Sequence, residues 1–425
     1  MSLFLYNLFV HLYKIGAIAL QPFNIKARYW LRGRRKWKKK LKKSIEDSGW
    51  MQHPDRIWVH VSSLGEFEQG RPIIEALKKT NPDIQVFLTF FSPSGYNIAK
   101  KYKLATMVHY LPLDTPQNAK KIISITKPTF VIWVKYDYWY HILTAIHAAK
   151  IPLILTSAPI RENQPFFKWY GGLHRKMLSC FNHFFIQTET GANLLKQLVP
   201  AEKVSVSGDT RFDRVIDIAD QWQPIPIIES WLNGSKEVLV AGSTWSDDEK
   251  ALLHFIKTNP EKKFILAPHQ VEPSIIEETL KLLPDAQLFS QIKDTLVFEK
   301  KQVLIIDNIG MLSKLYKYAK VCYVGGGFNS SGIHNLLEAA VYGLPVTHGP
   351  VYEKFNEAVG LEDAGGGFPF ESAIELEEIL NNLFNNADQY SVACAASKNY
   401  VFKNAGSTRQ IIDYILPHMK NDGVV

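Results

Sequence analysis

The chain has 425 residues, 46% of them hydrophobic and 21% charged, with a formal net charge of +8. This is the composition of a globular protein, and the length exceeds one ordinary core and points to two domains of about 200 residues each. The positive charge is concentrated: residues 26–43, KARYWLRGRRKWKKKLKK, hold eleven Lys/Arg and no acid, so the rest of the chain is slightly acidic. A near-neutral body with one basic segment argues against a nucleic-acid groove across the fold. Cys180, Cys322 and Cys394 show no metal or redox spacing and read as reduced thiols of a cytoplasmic protein.

Residues 3–20, LFLYNLFVHLYKIGAIAL, are apolar except for Asn7, His11 and Lys14, which recur on one helical face. The stretch sits at the margin of the roughly 20 residues needed to span a bilayer, and an amphipathic helix in the interface fits as well. No small-residue cleavage site follows it, which argues against a removed signal peptide. The basic run with Trp30 and Trp37 comes next. Lysine and arginine beside anionic lipid contribute roughly 1 kcal/mol each, and tryptophan favours the headgroup zone. Residues 1–43 are therefore expected to attach the body to anionic inner membrane and keep it on the cytoplasmic side. A solvated basic helix or an RNA-binding arm is the alternative for this segment.

From residue 57 apolar runs alternate with helical stretches. Strands are expected at 57–61, 84–90, 129–134, 152–157 and 183–187, then, after a break at 216–235 rich in Pro, Asn and Gly, at 237–243, 262–268, 302–307 and 321–327. This pattern predicts two doubly wound α/β halves with parallel sheets, residues 44–215 and 236–425, joined by a linker at 216–235 and facing a central cleft.

Two strand ends carry chemistry. HVSSLGE (60–66) places Ser62, Ser63 and Glu66 where a strand turns into a helix. A carboxylate there is favoured by the helix dipole and can take a proton from a hydroxyl, although the same position suits a capping acid. Glu68, two residues on, is read as solvated. The second end is VCYVGGGFNSSGIHNLLEAAVYGLPVTHGP (321–350). Its three glycines and the helix expected from His334-Asn335 to Gly343 suit a phosphate, with Glu338 placed to accept from a ribose diol. A turn that merely lets a helix pack on a sheet is the alternative.

These motifs, in this order, resemble the 3-deoxy-D-manno-octulosonic acid (Kdo) transferases, which move Kdo from CMP-Kdo onto a lipid A precursor. HVSSLGE resembles the family's H.(A/S)S.GE, and GGG…GIHNLLEAA…G.PV..GP resembles its glycine segment. FSPSGYNIA (91–99), YLPLDTP (110–116), SGDTRFDR (207–214), GSTWSDDE (242–249), APHQ (267–270) and DNIGMLSKLY (307–316) match further segments, so the likeness covers nearly the whole chain. It implies a GT-B fold of two Rossmann-like domains, acceptor-binding first and CMP-sugar-binding second. It implies Glu66 as catalytic base, with Lys135 and Arg211 stabilising a departing phosphate or the Kdo carboxylate. It places Pro268, His269, Ile309, Gly310, Met311, Gly326, Gly327, Asn335, Leu336, Leu337 and Glu338 around CMP. It implies inversion. No Asp-x-Asp metal motif stands out and the cations can carry the leaving-group charge, so no metal and no cofactor are expected.

The chain departs from the family pattern at Lys135 and Met311, each in place of a glutamate, at His269 in place of an arginine, and at Arg211 in place of a lysine. Lys135 also reads as a cation paired with Asp137 or Asp114. Two other functions stay open: a UDP-sugar transferase of the same fold, and a non-catalytic membrane-bound carbohydrate-binding module.

Overall fold

The computed structural model describes residues 2–135, 137–292 and 301–419. It divides into two compact units, one formed by residues up to Asp213 and from Ala405 on, the other by Arg214–Asn404. The strands of the first unit are β1 (Arg56–Val61), β2 (Gln85–Phe90), β3 (Met107–Tyr110), β4 (Phe130–Val134), β5 (Leu153–Ala158), β6 (His183–Ile186) and β7 (Val204–Val206). They form one parallel sheet in the order β3-β2-β1-β4-β5-β6-β7. Strands such as β4, FVIWV, are buried along their whole length, as expected when helices cover both faces of a sheet. The strand order reverses between β1 and β4, which pair from Ile57 with Phe130 to His60 with Trp133. In open α/β sheets that reversal opens a crevice beyond the carboxyl ends of the two strands.

The second unit repeats the plan. Its strands β8 (Val238–Thr244), β9 (Lys263–Pro268), β10 (Gln287–Leu288), β11 (Val303–Ile305), β12 (Val321–Val324), β13 (Val346–His348) and β14 (Gly367–Pro369) run parallel in the order β10-β11-β9-β8-β12-β13-β14. Here the reversal lies between β8 and β12. The fold class expected from sequence, two parallel-sheet Rossmann-like domains, is the one observed.

Three boundaries differ from the sequence reading. The segment 216–235 is largely helical, occupied by Thr210–Asp220 and Pro226–Leu232, so a chain change between units needs no extended linker. The last helix, Ser407–Met419, packs with the first unit rather than the second. Ile411, Ile412 and Ile415 join Ile57, Val59, Ile73 and Ile74 in one apolar cluster, and Asp213 accepts from the amides of Gly406 and Thr408 at 2.5 and 2.6 Å.

Residues 1–43, expected to be a separable attachment, are also built into the first unit. Helix α1 (Leu3–Leu20) sends Tyr6 and Val10 into its core and α3 (Trp37–Ser48) sends Leu41 and Ile45, with α2 (Ile25–Arg34) between them in the chain. Trp30 is buried and so does not serve as a headgroup anchor, while the half-buried Trp37 packs against that core. Arg34 is likewise internal. Its guanidinium donates to the carbonyls of Leu111, Phe91 and Trp30 at 2.8, 2.8 and 3.2 Å and lies 4.0 Å over the Trp30 ring. Burial pulls it down to about 9. The outer face of α1 stays apolar and open, with Phe4 74% exposed and Phe23, just beyond it, 90% exposed. α1 is long and apolar enough to cross a membrane.

Candidate functional site

In the first unit, β1 ends at Val61 and helix α4 (Leu64–Thr80) begins three residues later. Ser63 caps the helix and Glu66 occupies its third position. The Glu66 carboxylate turns back so that Oε2 accepts from the Ser63 amide at 2.5 Å and the Ser63 hydroxyl at 2.7 Å. This reciprocal arrangement satisfies amides that a helix start otherwise leaves open. Both bonds fall on Oε2, and Glu66 makes no bond through Oε1 to the described residues.

The loop after β4 lies beside it. Lys135 adopts a left-handed backbone (φ 63°), a conformation rare outside glycine, and its amide donates to the Thr156 carbonyl at 2.9 Å. Asp137 stands 3.9 Å from Nε2 of the fully buried His60, beyond hydrogen-bond reach, and neither of the facing atoms has another partner among the described residues. His60 is held by Thr89, 2.9 Å from Nδ1, and by the Trp133 ring at 4.1 Å. Burial pushes the Asp137 carboxyl up, but His60, Ser62 and Trp139 together outweigh it and hold the group below the usual range.

A second cluster collects the cations. Asp209 is buried and accepts from Gln69 and Gln187 at 2.8 Å each, and from the Arg211 guanidinium at 2.8 and 3.1 Å. Burial raises this carboxyl, yet Arg211 and the charge of Lys135 bring it below its ordinary value. Lys135 and Arg211, 76 positions apart, therefore act on one carboxylate, and the charge of Lys135 is felt at Asp209. Gln69 follows Glu66 by three residues on α4, so the cation cluster and the candidate base share one helical face.

In the second unit the glycine turn is more self-contained than the sequence suggested. The Gly325 amide donates to the Gly242 carbonyl at 2.8 Å, and the Gly326 amide donates to both oxygens of Asp248 at 3.0 and 3.1 Å. Those two amides are therefore spent inside the protein and cannot cradle a phosphate. Gly326 and Gly327 have φ of 91° and 92°, and a Cβ on Gly327 would stand 2.8 Å from the Gly349 backbone, so what these positions require is a missing side chain. The helix expected from His334-Asn335 is also shorter, Leu337–Ala340. Asn335 accepts from the Leu337 amide at 3.3 Å and donates to Glu338 at 3.1 Å, while Leu336 and Leu337 are buried.

Around this turn His269 stacks on His334 with ring centres 4.3 Å apart and on Trp245 at 4.8 Å, and the Trp245 indole donates to His334 at 3.1 Å. Burial drives His334 down to about 4 and lowers His269, so both rings are neutral near pH 7. Pro268 ends β9 just before His269. Ile309 is 87% exposed, Gly310 has φ 99°, and Met311 opens the following short helix.

Sequence reasoning did not single out Asp248, Asp209, His60 or Trp245. Asp248 lies three residues after the helix cap Trp245, the same spacing that separates Glu66 from Ser63, and that was the signal available. Asp209 had only its nearness to Arg211, since its other partners lie far away in sequence.

A family profile described as "3-Deoxy-D-manno-octulosonic-acid transferase (kdotransferase)" matches residues 32–214. The 3-deoxy-D-manno-octulosonic acid transferase of Aquifex aeolicus is 30% identical over 336 residues, 77% of this chain and 86% of that protein. The enzyme of the same name from Haemophilus influenzae is 23% identical over 388 residues, 87% of this chain and 88% of that one. Among solved structures, the UDP-GlcNAc 2-epimerase of Neisseria meningitidis superposes with a TM-score of 0.61 at 17% identity, covering 85% of this chain and 99% of the epimerase. The corresponding epimerase of Methanocaldococcus jannaschii gives 0.55 at 16% identity, covering 85% and 99%. At that identity the epimerases share the fold with this chain.

Proposed function

The chain belongs to the 3-deoxy-D-manno-octulosonic acid (Kdo) transferase family and is a glycosyltransferase of lipopolysaccharide synthesis, and from that premise we propose that its donor is CMP-Kdo, its acceptor a lipid A precursor, and Glu66 its general base. The observation that carries the reading is the divided carboxylate of Glu66: Oε2 is fixed by Ser63, and Oε1 is left without a bond to the described residues. A carboxylate held by one oxygen is oriented by the protein while the other can receive a proton.

The acceptor hydroxyl gives its proton to Glu66 as its oxygen bonds to the anomeric carbon of Kdo. The bond from that carbon to the phosphate oxygen breaks, and its electron pair leaves with CMP. Attack opposite the leaving group inverts the centre. Arg211, already oriented by Asp209, and Lys135 stabilise the charge that develops on the phosphate or is carried by the Kdo carboxylate. The neutral Trp245–His269–His334 stack offers flat surfaces to the cytosine. Asn335 and Glu338 serve the ribose, the loop Ile309–Met311 and Pro268 border the nucleotide, and Gly326 and Gly327 give room for the sugar phosphate to approach. The open apolar face of α1 and the basic residues of α2 and α3 hold the protein on the cytoplasmic face of the inner membrane.

The test is incubation of purified protein in detergent with CMP-Kdo and a tetra-acylated lipid A precursor, read by mass spectrometry. Acceptor mass rising by one or more Kdo units with release of CMP is the expected result. Transfer from a UDP-sugar and none from CMP-Kdo would replace the donor assignment.

A further inference from the structure

A groove of about 400 Å³ opens between α1, α2 and the segment after β2, within the first unit. Its floor and walls are apolar: Gly16 and Ala17 of α1, Trp30 of α2 and Phe91 after β2, with Lys26 and Ser92 among the polar residues lining it. It is large enough for a hydrocarbon chain, at the lower end of the range for small-ligand sites. We propose that this groove holds one acyl chain of the lipid acceptor and so guides the acceptor sugar toward Glu66; the proposal rests on the transferase reading above.

Three observations choose this occupant. The groove adjoins the candidate catalytic loops. The Ser92 amide donates to the Ser62 carbonyl at 2.7 Å, next to the Ser63 that fixes Glu66, and Phe91 stacks on Trp139 at 4.6 Å, two residues beyond Asp137. Its lining is shared with α1, whose outer face is exposed and apolar, so a chain leaving a lipid layer along α1 reaches the groove without crossing water. And α2 with its C-cap carries Lys26, Arg28, Arg32 and Arg35 with no acid, besides the internal Arg34, which suits a phosphorylated headgroup. Gly16 supplies the room: a Cβ built there meets nothing within 4 Å.

The first test uses the unmodified protein in detergent with a tetra-acylated, bisphosphorylated glucosamine disaccharide bearing a diazirine at one acyl terminus. Irradiation is expected to label the peptides holding Gly16 to Leu20, Trp30 and Phe91. Label spread instead over the outer face of α1, at Phe4 and Leu8, overturns the proposal, as does equal labelling by a diazirine phosphatidylethanolamine, which would make the groove a seat for bulk lipid. The second test fills the groove with Gly16→Leu. The kcat/KM ratio for the acylated over the de-acylated disaccharide should fall about tenfold, through KM, the loss expected when burial of roughly two methylenes is forfeited. Equal loss on both acceptors, or an unchanged ratio, overturns it. Wild-type protein that transfers Kdo to neither disaccharide would sink the acceptor assignment itself, whatever the labelling pattern.

Discussion

The two units place an acid at the same point of the same plan and use it differently. Each has a strand beside the reversal of sheet order, β1 or β8, then a helix whose third residue is acidic, Glu66 or Asp248, turned back on its own cap. Asp248 is wholly enclosed: the amides of Trp245 and Gly326 and the Tyr323 hydroxyl all donate to it, at 2.7, 3.0 and 2.7 Å. Among the described residues Glu66 is bound by Ser63 alone. A capping acid becomes a candidate for chemistry when the neighbouring strand does not close over it. In the second unit the glycine turn after β12 closes; in the first, β4 is followed by the left-handed Lys135 and the loop to Asp137, whose carboxylate faces His60.

The sharpest way to break this comparison is Glu66→Gln, which keeps the shape of the cap and cannot take a proton. Turnover is expected to fall roughly 10²–10⁴-fold, the usual share of a general base, with CMP affinity and melting temperature near wild type. A large drop in melting temperature instead would make Glu66 the same kind of residue as Asp248. The reciprocal change, Asp248→Ala, should leave two amides and a hydroxyl unsatisfied and cost about 3 kcal/mol or more in denaturant unfolding of the second unit.

Asp248 also carries a pH signature. Burial lifts its carboxyl from 3.8 to about 6. A folded value above the unfolded one means that its stabilising contribution is complete below about pH 4 and is lost as pH rises through about 6, by roughly 3 kcal/mol in all. The stability of wild type relative to Asp248→Asn should therefore decline across that window and then level off. A flat difference would contradict the enclosed carboxyl.

Smaller effects sharpen the first unit. Arg211→Ala should lower kcat about 10–100-fold with little change in CMP affinity, because a cation facing developing charge acts in the transition state. A loss confined to KM would make it a ground-state binder. Glu68→Gln, two residues from Glu66 and on another side of α4, should leave turnover within about twofold of wild type.

What was legible in the sequence was local. The start of α4 could be read because a buried strand, Ser63 and Glu66 follow one another within a few residues, and the capping bond spans three positions. The apolar runs of β1, β4, β8 and β12 announced themselves in the same way. The hidden parts depend on distant partners: Gly326 meets Asp248 from 78 positions away and Gln69 meets Asp209 from 140. The glycines of the second unit were read as phosphate ligands because the acid that claims an amide lies in another segment. β7, β13 and β14 span three residues each, too few for a periodic signal. Trp30 and Arg34 looked like membrane-facing residues since composition does not reveal which side of α2 meets Tyr110 and Phe91.

Asp114 ties the far N-terminus to the interior. It accepts the amides of His141 and Ile142 at 2.9 and 2.8 Å, closing the start of the helix Tyr140–Ala148, and the hydroxyl of Tyr6 at 2.5 Å. That hydroxyl in turn receives the Tyr140 amide at 3.1 Å. Trimming α1 to obtain a more tractable soluble protein would thus strip a donor from a buried acid whose carboxyl burial already pushes up. It would also unseat the helix start that follows Asp137 by three residues. A shortened protein that expresses well and transfers poorly would be reporting a loosened loop, and its loss of activity could not be assigned to the missing lipid contact alone.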